Sequence, residues 1–525
     1  MQTTLNRPRA IAAAFVFALS AFGCASLRPD VPRVPSHAIA DAEHTLLGRV
    51  FAVQAAAHPG LSGFQVMASG HLAFAARVAL ADGAERTLDL QYYSADADLS
   101  TDLLLLRLFA AAQRGVRVRI LLDDIYPPSR LFAQRAAALH ASIQVRLFNP
   151  FFFGGTTSLG RLAEYAFDGE RLNRRMHNKL WVADNAAAIV GSRNLGDEYF
   201  DVHPTANFAD VDLLAAGPIV NQLSQAFDTY WNSAAAVAVQ AIVPAADGLD
   251  SASLRQRLRE RTAACEGIPP CLWLSEHGLL AGLRAGAVAL SWADAQLHYD
   301  APDQAKRPLA SGIEHGWVDD HPGGTRTHRE LLIVSPYFIP SVEGRRHLGE
   351  MLERGVRVAV LTNSLASTDS PAAHAGYARH RVALLRSGVE LHEVRPTPGV
   401  RHRLSHRWGE ASPSSLHAKI IVQDRRRAIV GSLNQDPRSR LHNTEAWIAV
   451  DSTELAADLA ALFEAATDAH HAFKVELGAT DGTDRLVWST EEDNAIVRHG
   501  VEPVAGPWLR LWRGILGVLI PEHML

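Results

Sequence analysis

The chain has 525 residues, 48% of them hydrophobic and 20% charged, which is globular composition with ample material for buried cores and excludes disorder, collagen and coiled coil. At roughly 150 residues per domain, the length suggests two large domains or about three. Fifty-one Lys and Arg against 56 Asp and Glu leave a net charge of −5, without the basic footprint of a dedicated nucleic-acid binder, and three cysteines are too few for a disulfide scaffold.

Arg7 and Arg9 precede an apolar run from Ala10 to Phe22 that ends at Gly23-Cys24. A basic start, a short apolar stretch and small residues make an export signal rather than a spanning helix. The stretch resembles a bacterial lipoprotein signal with Cys24 as the lipidated residue; a plain cleaved signal or an uncleaved anchor are the alternatives. All three place the body of the protein outside the cytosol. Residues 25–44 follow as a linker with Pro29, Pro32 and Pro35, extended and poor in helix.

From 45 to 245 the chain reads as a first α/β domain. A strand-like run, Thr87 to Tyr93, leads to an amphipathic helical pattern, Leu103 to Gln113, then Arg114-Gly115-Val116-Arg117-Val118 and an apolar strand to Leu122. Strand, helix, glycine turn, strand is a βαβ unit with parallel strands. Phe148-Asn149-Pro150-Phe151-Phe152-Phe153 either lines an apolar channel or packs as a loop on the core. His177-x-Lys179, Asp184 and Gly191-Ser192-x-Asn194 follow. Residues 246–320 form an insertion, in which Cys265 and Cys271 either close a small disulfide loop in an oxidising compartment or stay as thiols.

The second domain, 321–473, repeats the first at an offset of 240. Leu331 to Phe338 is the strand, Arg354-Gly355-Val356-Arg357-Val358 the turn, and His417-x-Lys419, Asp424 and Gly431-Ser432-x-Asn434 carry the same spacing. A tail, 474–525, ends with Trp508, Leu511, Trp512, Ile515, Leu516 and Leu519 on one helical face and Arg510, Arg513, Gly514 and Gly517 on the other. That pattern suits a headgroup boundary or a helix capping the core, and periodicity does not separate the two.

Residues two apart on a strand share a face, so each His lies beside its Lys. Lysine is a point charge for a phosphate oxygen, and Ser and Asn donate hydrogen bonds to the same group. Two such half-sites facing one another would hold one anionic tetrahedral group. One imidazole must be neutral to attack phosphorus while the other is protonated to release an alkoxide. This chemistry requires no metal or cofactor, and a Lys on the face of each His would repel a cation.

The duplicated spaced set resembles that of the phospholipase D superfamily, over about 88–473, and is closest to bacterial cardiolipin synthases. Leu88-Asp89-Leu90-Gln91-Tyr92-Tyr93, Ser335-Pro336-Tyr337-Phe338-Ile339-Pro340 and Thr362 to Asp369 carry the closer likeness. The resemblance implies two phospholipase D-like domains forming a pseudo-two-fold pair of mixed sheets flanked by helices. It implies a catalytic set of His177, Lys179, Asp184, His417, Lys419 and Asp424, with His177 as nucleophile and His417 as acid. Within that set, Asp184 and Asp424 are expected to brace their loops. Ser192, Asn194, Ser432 and Asn434 would bind phosphate. A carboxylate downstream in each half would orient that half's histidine: Glu445 for His417, and Asp210, with Asp212 as runner-up, for His177. Tyr93 and Tyr337, ending the first strands, are pocket candidates.

The motif serves phospholipase, nuclease and phosphatidyltransferase chemistry equally. Export, tethering, low net charge and the C-terminal pattern favour lipid. The expectation is a phosphatidyltransferase acting through a phosphohistidine on phospholipids (phosphatidylglycerol, with phosphatidylethanolamine as a further candidate) at a membrane surface, without nucleic acid. It would be a membrane-anchored lipoprotein facing the periplasm. Hydrolysis to phosphatidic acid and an exported nuclease are the competitors. A non-catalytic binding module is disfavoured, because both motifs are intact.

Overall fold

In both halves, short runs of Leu, Ile and Val with almost no alternation must be covered on two faces, and this sets the layering. In a computed structural model, which describes residues 31, 33–152, 157–243, 250–263, 265, 270–271, 279–303, 326–396, 414–480 and 483–524, these runs are the central strands of two mixed sheets. Cys24, the leader, most of 25–32 and Phe153 lie outside the described residues.

The first sheet runs Ala236–Ala238, Ile143–Phe148, Arg117–Asp123, Thr87–Tyr92, Leu180–Ala183, Ala187–Gly191, Asp212–Ala216, Ser62–Met67. Thr87–Tyr92, Arg117–Asp123 and Ile143–Phe148 are parallel; the other pairings are antiparallel. The second sheet repeats this order as Glu390–Val394, Arg357–Asn363, Glu330–Val334, Ile420–Gln423, Arg427–Gly431, Ala446–Asp451. It then extends beyond Glu390–Val394 through Ala472–Thr480, Thr483–Glu492 and Ala495–His499. Much of the presumed tail is thus part of the second sheet.

The turns explain the retained glycines. Gly115 and Gly355 close their helices in the left-handed region, at φ 94° and 82°, where a Cβ is strained. One apolar core is shared by the halves: Phe227 and Trp231 from the helix Pro218–Trp231 and Leu459 and Phe463 from Thr453–Ala466 lie in it with residues of both sheets. Separate outer cores cover the far faces.

The segment between the domains is more than a linker. Its strand Ser291–Tyr299 pairs first with Ser62–Met67 and then with Ala446–Asp451, joining the two sheets edge to edge. The helix Ser251–Ala263 packs on Leu99–Gln113, and Cys265 and Cys271 form a disulfide beside it. Among the described residues no helix is long and apolar enough to cross a membrane.

Candidate active site

His177 and His417 follow two very short strands that tie the halves together. Arg175–Met176 pairs in parallel with Asn443–Thr444, and Ser414–Leu416 with Asn207–Ala209. The main chain continues these contacts: the His177 N–H donates to Thr444 O at 2.8 Å and the His417 N–H to Ala209 O at 2.9 Å. Each histidine is thereby seated beside the residue that follows the partner segment, Glu445 in one case and Asp210 in the other.

The consequence corrects the pairing expected from sequence. His177 Nδ1 lies 2.8 Å from Glu445 Oε2, and His417 Nδ1 lies 2.7 Å from Asp210 Oδ2. Each carboxylate orients the histidine of the opposite half, because the cross-half strand pairs bring it there while its own histidine lies elsewhere. Asp212 is occupied by Arg77 Nη2 at 2.9 Å and touches neither imidazole. With Nδ1 engaged, Nε2 of each ring is directed to the opposite side, and both rings line one pocket of about 750 Å³.

The serines are a second correction. Ser192 Oγ donates to Asp210 and Ser432 Oγ to Glu445, so their hydroxyls are spent on the carboxylates rather than on a phosphate. The glycines before them have a packing reason. A Cβ on Gly191 would lie 2.6 Å from Asp212 Cα, and one on Gly431 would lie 2.5 Å from Trp447 Cα. Only glycine lets the carboxylate-bearing strand pass this close.

The asparagines do reach the pocket. Asn194 donates to Tyr199 OH at 3.0 Å. Asn434 is buried on the pocket wall, and its amide oxygen has no hydrogen-bond partner among the described residues. A buried amide so placed is matched by a polar ligand, and rotated by half a turn it presents N–H donors.

Asp184 and Asp424 lie outside this constellation. Asp184 accepts from the N–H groups of Glu85, Arg86 and Thr87, each at 2.8 Å, and Asp424 from those of His328, Arg329 and Glu330 at 2.7–3.0 Å. Each collects backbone donors at the start of a central strand, Thr87–Tyr92 in one half and Glu330–Val334 in the other, from a turn in left-handed conformation. They brace the far end of the sheet, the role expected for them within the implied catalytic set, and their place in that set is corrected, since neither reaches an imidazole.

Both lysines are buried beside their histidines. Lys179 Nζ donates to His177 O at 2.5 Å and lies 5.3 Å from the centre of the Tyr93 ring; Lys419 Nζ donates to His417 O at 2.6 Å and lies 3.1 Å from His417 Nε2. Aromatic edges fix the rings: Tyr93 against His177, and Tyr199 and Phe208 against His417. Tyr199 and Phe208 were not singled out in the sequence, where nothing marks them apart from core aromatics. Tyr337 reaches the same pocket and donates to Asp369 at 2.8 Å. The described residues of the phenylalanine run, Phe148, Phe151 and Phe152, do not line this pocket. Phe151 is buried under Arg161 and Arg175, while Phe148 and Phe152 border a separate cavity of about 510 Å³ with Arg171 and Arg174.

The electrostatics of the half-sites differ. Burial, with the charges of Lys179, Lys419 and His417, pushes His177 well below the usual imidazole range. Burial also pushes its partner Glu445 up to about 7, against Lys179 and the Ser432 hydroxyl. Asp210 is buried too, yet His417, Arg193 and Lys419 hold it well below the usual carboxylate range. His417 is lowered by burial and by Lys419, and the Asp210 charge opposes this. Burial lowers Lys179 strongly and brings Lys419 down to about 8. A phosphodiester anion in the pocket would oppose these losses of positive charge. Among the described residues no group of three or more His, Cys, Asp or Glu is arranged to hold a metal.

Comparison with known proteins shows the family of the chain. Residues 78–231 and 325–467 match the family described as cardiolipin synthase, PLD-like domain. The chain is 36% identical to cardiolipin synthase C of Escherichia coli over 484 residues, 89% of this chain and 97% of that protein. It is 26% identical to cardiolipin synthase B of the same organism over 349 residues, 65% of each chain. Phosphatidylserine synthase of Haemophilus influenzae shares the fold, with a TM-score of 0.52 at 12% identity over 82% of this chain and 92% of that one.

Proposed function

The chain belongs to the phospholipase D superfamily, in its cardiolipin synthase family, and we propose that it transfers a phosphatidyl group between phospholipids through a phosphohistidine on His177. The observation that carries this is the pair of imidazoles on one pocket, each held at Nδ1 by a carboxylate and presenting Nε2.

In the first step Nε2 of His177 attacks phosphorus. The P–N bond forms, the bond to the leaving oxygen breaks, and His417 delivers the proton that the departing alkoxide takes. In the second step an acceptor hydroxyl gives its proton to the now neutral His417 and attacks phosphorus, and the P–N bond breaks. The assignment of roles follows the charges. Burial and the neighbouring lysines keep His177 neutral, with Nδ1–H donating to Glu445 and Nε2 free to attack, while the Asp210 charge opposes the lowering of His417 and favours an imidazolium there. Lys179, Lys419, Asn194 and Asn434 surround the phosphate, where fixed charge and donors contribute most of the rate.

The donor and acceptor lipids we infer are phosphatidylglycerol and, for one of the two roles, phosphatidylethanolamine, at a membrane surface. Export and tethering through Cys24, facing the periplasm, are part of the same reading. They are supported by Arg7, Arg9 and the apolar run before Gly23-Cys24. A Cys265–Cys271 bridge suits an oxidising compartment.

The test is incubation of purified protein with phosphatidylglycerol, with and without phosphatidylethanolamine, following products by mass. Cardiolipin is expected. Phosphatidic acid alone would replace transfer by hydrolysis, and cleaved DNA with inert lipid would overturn the lipid reading.

A further inference from the structure

Two helices that adjoin the pocket wall carry exposed apolar side chains. One comes from each half. The C-terminal helix Pro507–Leu519 buries no residue fully, and Trp508 and Val518 stand 75% and 87% exposed, with Leu511, Trp512, Ile515 and Leu519 also outward. Its contact with the body is made by the opposite side. Gly517 sits on Ala375 of the helix Pro371–Ala378, and Arg379 donates to the Gly517 carbonyl. The idea of a helix capping the core with its apolar stripe is therefore not met. The chain then leads through Ile520 into the pocket wall.

The second helix, Ser158–Leu172, was not marked by the sequence. It exposes Leu159 and Phe167, 78% and 81% exposed, together with Leu162. It too abuts the pocket. Arg161 donates to the carbonyl of Ile125, a pocket-wall residue, at 2.9 Å, and Tyr165 shares the Asn173 amide oxygen with Arg438 of the same wall.

We propose that these two helices form one docking face, and that its occupant is the surface of a phospholipid bilayer onto which the pocket opens. Two observations favour a bilayer over a second copy of the chain. Both helices adjoin the wall of the pocket, so a second copy seated on them would crowd the entry that substrate needs. Trp508 and Trp512 stand outward among leucine and isoleucine on one short helix, as suits the headgroup boundary. The proposal rests on the lipid reading above and adds where the lipid is met: both halves hold the mouth against the membrane, so a substrate is extracted rather than captured from solution.

The experiment places an environment-sensitive fluorophore on the full chain at Val518→Cys, Phe167→Cys or Val53→Cys, each referred to the unlabelled-site background of the parent chain. Val53 is an exposed residue of the helix Leu46–Ala55, whose start binds Glu85 at the opposite end of the strand Thr87–Tyr92. On vesicles of phosphatidylglycerol and phosphatidylethanolamine the labels at 518 and 167 should shift to the blue and that at 53 should not. In parallel, Val518→Asp with Phe167→Asp should lower turnover of vesicle lipid about tenfold or more, and leave turnover of short-chain phosphatidylglycerol below its micelle concentration unchanged. Labels that stay water-exposed while vesicle lipid is consumed would overturn the docking face and leave the lipid reading standing. Immersed labels without lipid turnover would keep the docking face and remove the transfer reading. A blue shift that depends on protein concentration and needs no vesicles would assign the face to a second copy and overturn the proposal.

Discussion

The two half-sites share a geometry and differ in their buried neighbours. Both have a His on the pocket wall, a Lys two residues on, a carboxylate at Nδ1 and a serine donating to that carboxylate. In the first half the residue after that serine is Arg193, which spans the carbonyls of Met67, Ala68, Tyr199 and Asp210; in the second it is Leu433. A guanidinium beside Asp210 stabilises its anion, and Glu445 has no arginine in that place. Duplication supplies two equivalent imidazoles, whereas the reaction needs one acid and one nucleophile. The difference at 193 and 433 adds a bias to the pair in that direction.

The comparison breaks most visibly at the histidines. His177→Ala and His417→Ala should each lower turnover of phospholipid by at least about 10⁴-fold, with little further loss in the double variant. A phosphodiester whose leaving group is nitrophenolate needs no acid. With it, His417→Ala should still release nitrophenolate in a burst, and His177→Ala should not. Equal bursts would mean that the half-sites are interchangeable.

Crossing of the carboxylates is the next largest effect. Asp210→Asn should cost about 10²-fold or more on phospholipid, and far less on the nitrophenyl substrate, because it disturbs the acid although it sits in the nucleophile's half. Glu445→Gln should impair both substrates alike. The reverse pattern would restore pairing within each half.

A smaller effect is expected from pH. As pH rises through about 8, Lys419 loses the proton that burial already weakens, and kcat/KM should fall. Lys419→Arg, whose guanidinium keeps its charge, should flatten this limb even at reduced absolute rate. A limb unchanged in that variant would assign it to another group. The smallest effect on catalysis is expected at the bracing residues. Asp184→Ala leaves three backbone N–H groups without their acceptor, and should cost about 1–3 kcal/mol of stability in denaturant melts with nearly unchanged kcat below the transition. A selective loss of kcat in a stably folded variant would return Asp184 to the reacting centre.

Much of this architecture is legible in the chain because the repeat is local and periodic. Strand, helix, glycine turn and strand are each set by a few neighbouring residues, and Gly115 and Gly355 mark their turns plainly. What was not legible depends on contacts across the halves. Nothing near Glu445 indicates that Asn443–Thr444 pairs with Arg175–Met176, so assigning each carboxylate to its own half followed sequence distance where the molecule follows space. A serine hydroxyl beside a glycine suits a phosphate or a carboxylate partner alike, and only the passing strand decides between them. Ser291–Tyr299 alternates small, polar and apolar residues weakly, and its place between two sheets comes from edges that the segment does not itself encode. The helix Ser158–Leu172 carries Leu159, Leu162 and Phe167 outward, so burial in a core does not mark it.

The central claim, that the phosphatidyl group passes through the first half's histidine, is tested most directly by rapid acid-free quenching of the protein with phospholipid followed by peptide mapping by mass. The account predicts a phosphatidyl adduct on the peptide carrying His177, accumulating further in His417→Ala with the nitrophenyl substrate. An adduct on His417 in its place, or complete turnover with no adduct on either histidine, would contradict it.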